Sequence, residues 1–235
     1  MEKLTLVTGG SGLLGSEIKR LEPKYIFPSH SSFNITNYIQ LENFISSQNI
    51  GTIIHSAALI SAPICLNRPI DAISTNIIGT AFLTQLCIKK DIRLIYISTD
   101  YVFDGKRGMY TEEDPVLPVN AYAWSKLGGE CSIQLHPKSL IIRLSFSTNE
   151  FPHPKAFIDQ WTTRETVSNT APKIIKLAES NICGIIHIGG QRQTAKEYAI
   201  MLGKTDVQNL SIHDLPFHLP KDTSLDTSKY KRIMK

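Results

Sequence analysis

Tyr122 and Lys126 stand four residues apart in "NAYAWSKLGGE". On a helix that spacing puts both side chains on one face. A phenol beside an ammonium is a tunable proton donor, because the cation stabilises tyrosinate and draws its pKa down from about 10. A Tyr–Lys pair is also common on any exposed helix. Thr99 favours the chemical alternative. It closes the apolar run "RLIYIS" and offers a hydroxyl where a strand leaves the core, able to hold a substrate oxygen beside the phenol.

A second group of residues points to an anionic ligand. "TGGSGLLG" holds Gly9, Gly12 and Gly15 directly after an apolar run and directly before a helical one. Without β-carbons the backbone approaches a pyrophosphate closely, and the helix N-terminus favours its charge. The strand–turn–helix context predicts dinucleotide binding, whereas the same glycines elsewhere would be a plain tight turn. A ribose 2′-hydroxyl calls for a carboxylate about 20 residues further on. Here the chain reads "FPSHSS", with neither Asp nor Glu. Ser29, His30 and Ser31 can instead donate to a 2′-phosphate, which favours NADP(H) and leaves NAD(H) possible.

The elements that must position these groups alternate. "LTLVTGG", "KYIF", "GTIIHSAA", "RLIYIST" and "SLIIRLS" read as strands. They are continuous apolar runs, as expected of strands buried on both faces. Helical spacing falls between them in "LLGSEIKRL", in "NYIQLENFISSQ", over 71–89 and in "NAYAWSKLGGECSIQL". Asn34 or Thr36 is placed to cap the second of these, with Ile39, Phe44 and Ile45 facing inward. This order predicts a parallel sheet with helices on both faces. After "IIRLS" the alternation loosens. Residues 147–169 are polar and proline-containing, "APKIIKLAES" and "TAKEYAIML" read as helices, "GIIHIGG" as a strand, and the basic tail as weakly structured.

Totals narrow the function classes. The chain has 235 residues, 42% apolar, with a net charge of +4. That supports one large domain with a small appendage and argues against a nucleic-acid partner. No apolar run nears the roughly 18 residues of a membrane span. The opening Met-Glu-Lys runs straight into a strand, so a cytoplasmic protein without a signal peptide is expected. Cys65, Cys87, Cys131 and Cys183 are too scattered for a zinc site or a disulfide framework.

Together these motifs resemble the extended short-chain dehydrogenase/reductases, and more narrowly the dTDP-4-dehydrorhamnose reductase family. "STDYVFDG" is complete, Tyr122 and Lys126 match the Y-x-x-x-K, "IIHSAA" resembles an Asn-Ala-Ala-Ala strand end, Asn76 with Gly79 resembles an N-x-x-G helix, and "SLDTSKYKRI" resembles the closing segment. The resemblance implies an α/β, Rossmann-type doubly wound parallel sheet with a small C-terminal substrate lobe, divided as 1–146 and 147–235. It implies catalytic Thr99, Tyr122 and Lys126. It implies cofactor contacts from Gly9, Ser11, Gly12, Leu13, Leu14, His30, Ser56, Ala57, Ala58, Asn76, Ser98, Tyr122 and Lys126. Substrate contacts are implied for Asp100, Tyr101, Val102 and Phe103.

The implied activity is NADPH-dependent reduction of a nucleotide-linked 4-keto-6-deoxy sugar, with a homodimer possible by analogy. The chain departs from the family in a shortened region after Arg143, in Pro63 and Leu66 where acidic residues are usual, and in His55 where Asn is usual. Those departures keep a second reading open, a regulatory subunit that binds the dinucleotide without turnover. A third, epimerisation or dehydration, wants an extra acid–base group that Asp100 followed by Tyr101 does not supply.

Overall fold

The computed structural model describes residues 3–234. In chain order, β1 (Leu4–Thr8) leads into α1 (Leu13–Leu21), and α2 (Tyr38–Ser46) into β2 (Ile50–His55). Next come α3 (Ala62–Asn67), α4 (Pro69–Ala72), a π-helical segment (Ile73–Gly79), α5 (Thr80–Lys90) and β3 (Arg93–Ile97). A 3-10 turn (Asp100–Val102), α6 (Ala121–Ile133) and β4 (Ser139–Arg143) complete the first part. The remainder holds β5 (Phe146–Ser147), β6 (Lys155–Phe157), β7 (Trp161–Thr162), β8 (Glu165–Thr166), α7 (Val167–Ala178) and β9 (Gly184–His187). It ends with β10 (Gln193–Thr194), α8 (Ala195–Met201), β11 (Gln208–Leu210) and α9 (Ser228–Ile233).

The central sheet is parallel with order β1-β2-β3-β4-β9. Successive strand residues feed opposite layers. Val7, Ile54, Ile95 and Ile142 pack with α1 and α7 on one face. Leu6, Ile53, Leu94 and Ile141 pack with α2 and α5 on the other. The continuous apolar runs are thus explained by two buried faces.

Several expectations change. "KYIF" is not a full strand: Ile26 alone bridges Leu6, because Pro23 and Pro28 bracket the run and Pro28 has no N–H to continue a ladder. Asn37, not Asn34 or Thr36, caps α2 by accepting from Gln40 N at 3.1 Å. Leu41 and Ile45 therefore face inward, while Ile39 is 70% exposed. The helix over 71–89 is interrupted by π turns. α7 starts at Val167, inside the stretch expected to be irregular, where Asn149 accepts from the Ser168 hydroxyl at 2.7 Å.

The tail is well anchored rather than loose. Asp222, Thr223 and Ser224 are buried, Leu225 bridges Tyr110, and α9 closes the chain. Polar composition suggested a loop, but these polar groups are used as internal ties. The division after residue 146 falls within β5, and β9 from the second part extends the central sheet.

Candidate active site

β1 ends at Thr8, and the chain turns through Gly9, whose φ is +71°. A Cβ there would lie 2.9 Å from Ala57 N, so the turn rests directly on the chain leaving β2. No side chain caps the first turn of α1 at Gly12. Its leading N–H groups are therefore available to an anion. Gly9, Ser11, Gly12, Leu13 and Leu14 line a cleft of about 960 Å³, as do His30, Ser56, Ala57 and Ala58. The donor set and the close backbone approach fit a dinucleotide.

A chain of hydrogen bonds fixes that wall. The Thr8 hydroxyl accepts from Ser56 N and Ala57 N at 3.1 and 3.0 Å and meets His55 Nδ1 at 2.8 Å. Thr80 Oγ1 donates to Asn76 O, so it accepts from His55 Nε2–H at 3.0 Å. The Thr8 hydroxyl then donates to Nδ1, and His55 is a neutral tautomer with both nitrogens used. Asn76 continues the chain. It clamps Leu59 in both directions, at 2.8 and 2.9 Å, and donates to Ser125 Oγ at 2.8 Å. Ser125 donates to the Tyr122 carbonyl.

β3 is followed directly by Ser98 and Thr99, both on the cleft wall. α6 begins beside them, with Asn120 as its cap accepting from Ala123 N at 2.9 Å. Tyr122 therefore reaches the cleft in the first turn and shares its wall with Thr99. Burial of the ring pushes the Tyr122 phenol well above its usual range, and the nearby Thr99 side chain opposes this only in part. That corrects the expectation of a phenol drawn towards neutrality by Lys126. Burial instead pushes the Lys126 ammonium down to about 7, against the pull of Glu130.

Four residues with contacts implied by resemblance lie off the cleft wall. Val102 and Phe103 are fully buried, in a satellite cluster with Tyr110 and Leu225, and touch no ligand space. Asn76 has its amide committed to Leu59 and Ser125, and so positions the wall. Lys126 is 3% exposed, with its ammonium 4.0 Å from the Tyr96 ring centroid rather than on the cleft wall. Asp100 and Tyr101 do border the cleft. Asp100 is nevertheless held from the far side, accepting from Thr223 at 2.6 Å, and burial raises its pKa to about 6. Gln160 donates to the Tyr101 hydroxyl at 3.1 Å.

Sequence reasoning missed Lys19, Arg164, Phe217 and Leu219, which also line the cleft. Arg164 Nε donates to Ser145 at 3.1 Å, which fixes its guanidinium. A cation in "TTRET" between two short strands carries no periodic signal. Among the described residues no cluster suits a metal ion. None of their helices is long and apolar enough to cross a membrane.

The buried histidines set a pH dependence. Burial pushes His55 down to about 3, with Lys126 adding to it, and His187 down to about 4, with Arg143 adding to it. Unfolding frees both to take up protons below about pH 6.5. Their contribution is complete above that pH and is lost as pH falls. Asp100 has the opposite slope, because its raised pKa favours the folded state as pH falls from about 6. Its shift is smaller than the two histidine shifts together, so acid loss wins. The Tm should fall between about pH 7 and pH 5, and the fall should be shallower in His55→Asn, as scanning calorimetry would show. Equal slopes in the two proteins would contradict the assignment.

A parallel sheet with a glycine-turn anion cradle, facing a threonine–tyrosine pair backed by a lysine, defines a short-chain dehydrogenase/reductase. The chain belongs to the family described as the RmlD substrate binding domain, whose model matches residues 3–168. A probable low-salt glycan biosynthesis reductase of Haloferax volcanii is 30% identical, over 79% of this chain and 74% of its own. The dTDP-4-dehydrorhamnose reductase of Aggregatibacter actinomycetemcomitans is 31% identical, over 79% of this chain and 61% of its own. The methionine adenosyltransferase 2 subunit beta of Rattus norvegicus is 27% identical, over 97% of this chain and 81% of its own. A crystal structure of a hypothetical dTDP-4-dehydrorhamnose reductase from Sulfolobus tokodaii superposes with a TM-score of 0.87 at 29% identity, covering 98% of this chain and 94% of that one. The Bacillus anthracis dTDP-4-dehydrorhamnose reductase in complex with NADP shares the fold, with a TM-score of 0.88 at 23% identity, covering 99% of this chain and 92% of that one.

Proposed function

We propose that the protein is an NADPH-dependent reductase of a nucleotide-linked 4-keto-6-deoxy sugar. The observation that carries this reading is the Thr99–Tyr122 pair on the wall of the same cleft as the glycine turn. Gly9, Ser11, Gly12, Leu13 and Leu14 would hold the dinucleotide phosphates, with Ser56, Ala57 and Ala58 alongside. The chemistry that a bound, reduced nicotinamide would supply is hydride for the C4 carbonyl. Thr99 holds the carbonyl oxygen and orients it. Tyr122 donates its O–H to that oxygen as negative charge develops, and a phenol with a high pKa retains its proton until then. Arg164 offers a positive charge to the substrate's diphosphate, and Phe217 and Leu219 offer apolar surface that excludes water. Loss of NADPH absorbance with a panel of 4-keto sugar nucleotides tests the reading. No oxidation with any of them would overturn it.

A preference for NADPH over NADH follows from Lys19 and His30, which border the cleft beyond the glycine turn, with no Asp or Glu in the adjoining loop over 27–32. Lys19→Gln is expected to weaken NADPH binding about tenfold and leave NADH binding unchanged, since a charge-assisted hydrogen bond contributes roughly 1.5–3 kcal/mol. Fluorescence titration with both cofactors measures this. A parallel loss for NADH would show that Lys19 acts on some other part of the ligand.

A second reading is a dinucleotide-binding regulatory subunit. Its support is the alignment with methionine adenosyltransferase 2 subunit beta, which spans 97% of this chain, against 79% for the two reductases. NADPH binding without oxidation of any sugar nucleotide would favour it.

A further inference from the structure

Lys126 is a charged side chain in a nearly closed place. The groups around it come from several elements. Tyr122 and Glu130 share its helix, His55 comes from β2 and Tyr96 from β3. His55 is neutral, with both nitrogens engaged by hydroxyls. Glu130 is the carboxylate that acts on Lys126, but its oxygens are already taken. Arg143 donates to both of them, at 3.1 and 2.8 Å, and Ser98 donates to one. The Glu130 charge is therefore largely neutralised by Arg143, itself 3% exposed. Something else must make a buried ammonium tolerable.

Tyr96 is fully buried and meets Lys126 at two points. Its ring face lies under the ammonium, 4.0 Å from centroid to Nζ. Its hydroxyl donates to the Lys126 carbonyl at 3.2 Å. Gly129 makes this approach possible, since a Cβ there would fall 2.4 Å from the Tyr96 hydroxyl oxygen. The negative face of an aromatic ring attracts a desolvated cation. We infer that Tyr96 is a positioning residue, which seats the Lys126 ammonium behind Tyr122 and keeps it charged. That Tyr96 seats Lys126 does not rest on the reductase reading above.

The test uses the full chain labelled with ¹³C at the lysine ε-carbons, with Lys126→Met to assign the resonance. A methylene over a ring face is displaced upfield, so the wild-type Lys126 ε-protons should be shifted and should titrate as one group. Burial places that titration near about 7. Tyr96→Phe keeps the ring, and should keep both the upfield shift and the midpoint. Tyr96→Leu removes the ring, and should lose the shift and lower the midpoint by about one pH unit. An unchanged midpoint in a folded Tyr96→Leu protein would overturn the assignment. If that variant does not fold, wild type alone decides, because ε-protons without an upfield displacement would overturn it as well. Failure of wild type to bind NADPH would sink the reductase reading, while the resonance would still judge the seat.

Discussion

Tyr122→Phe is expected to bind NADPH as tightly as wild type and to lose turnover by roughly 10²- to 10⁴-fold. The substitution removes one hydroxyl from a ring that stays packed. Asn120 still caps α6 and Ser125 still donates to the backbone at residue 122, so the helix start is unaltered. The glycine turn is built by β1 and α1 rather than α6, and does not depend on the phenol. The loss should therefore fall in kcat, with KM for NADPH little changed, because the O–H acts on charge that appears only in the transition state. Steady-state kinetics with a turned-over 4-keto sugar nucleotide, beside fluorescence titration of NADPH, separates the two. Full activity in Tyr122→Phe would show that the proton comes from elsewhere. Thr99 would then be the first place to look, since it lines the same cleft.

The parts of this site visible in the sequence are those where spacing alone dictates geometry. Glycines three apart after an apolar run had to form a turn into a helix. A Tyr and a Lys four apart had to share a helical face. What spacing does not give is the direction of that face relative to the cleft. Tyr122 lies in the first turn and borders the opening, whereas Lys126, one turn on, faces the Tyr96 ring inside the protein. "DYVF" failed for a related reason. A 3-10 turn follows neither the strand nor the α-helix period, so Val102 and Phe103 could not be assigned to the core from pattern. The tail misled because Asp222, Thr223 and Ser224 have loop composition but are buried, where Thr223 donates to Asp100 and Arg192 pairs with Asp222. Such long-range pairing, between residues 100 and 223, leaves no local signature.

Two substitutions in the glycine turn should both end dinucleotide binding, but by different routes. At Gly12 the backbone is ordinary, with φ −76° and ψ 172°. An added Cβ would meet only Gly9 O, at 3.3 Å, so the chain can accommodate a side chain with a small shift. Gly12→Glu also places a carboxylate at the N-terminus of α1, which favours the helix by a few tenths of a kcal/mol up to about 1 kcal/mol. The protein should fold with an unchanged or slightly raised Tm. The same carboxylate stands where the pyrophosphate must lie, so NADPH binding should fall by more than about 100-fold, from repulsion between like charges in a partly desolvated cleft. Gly15 is different. Its Cβ would come 2.2 Å from Gly9 O and 2.6 Å from Gly10 Cα, both backbone atoms that cannot turn aside. Gly15→Ala must therefore push α1 away from the strand end, and it should cost roughly 3–5 kcal/mol of stability. Thermal unfolding and NADPH titration of both variants check the contrast. A Gly12→Glu protein that is folded and still binds NADPH with wild-type affinity would place the pyrophosphate somewhere other than the start of α1.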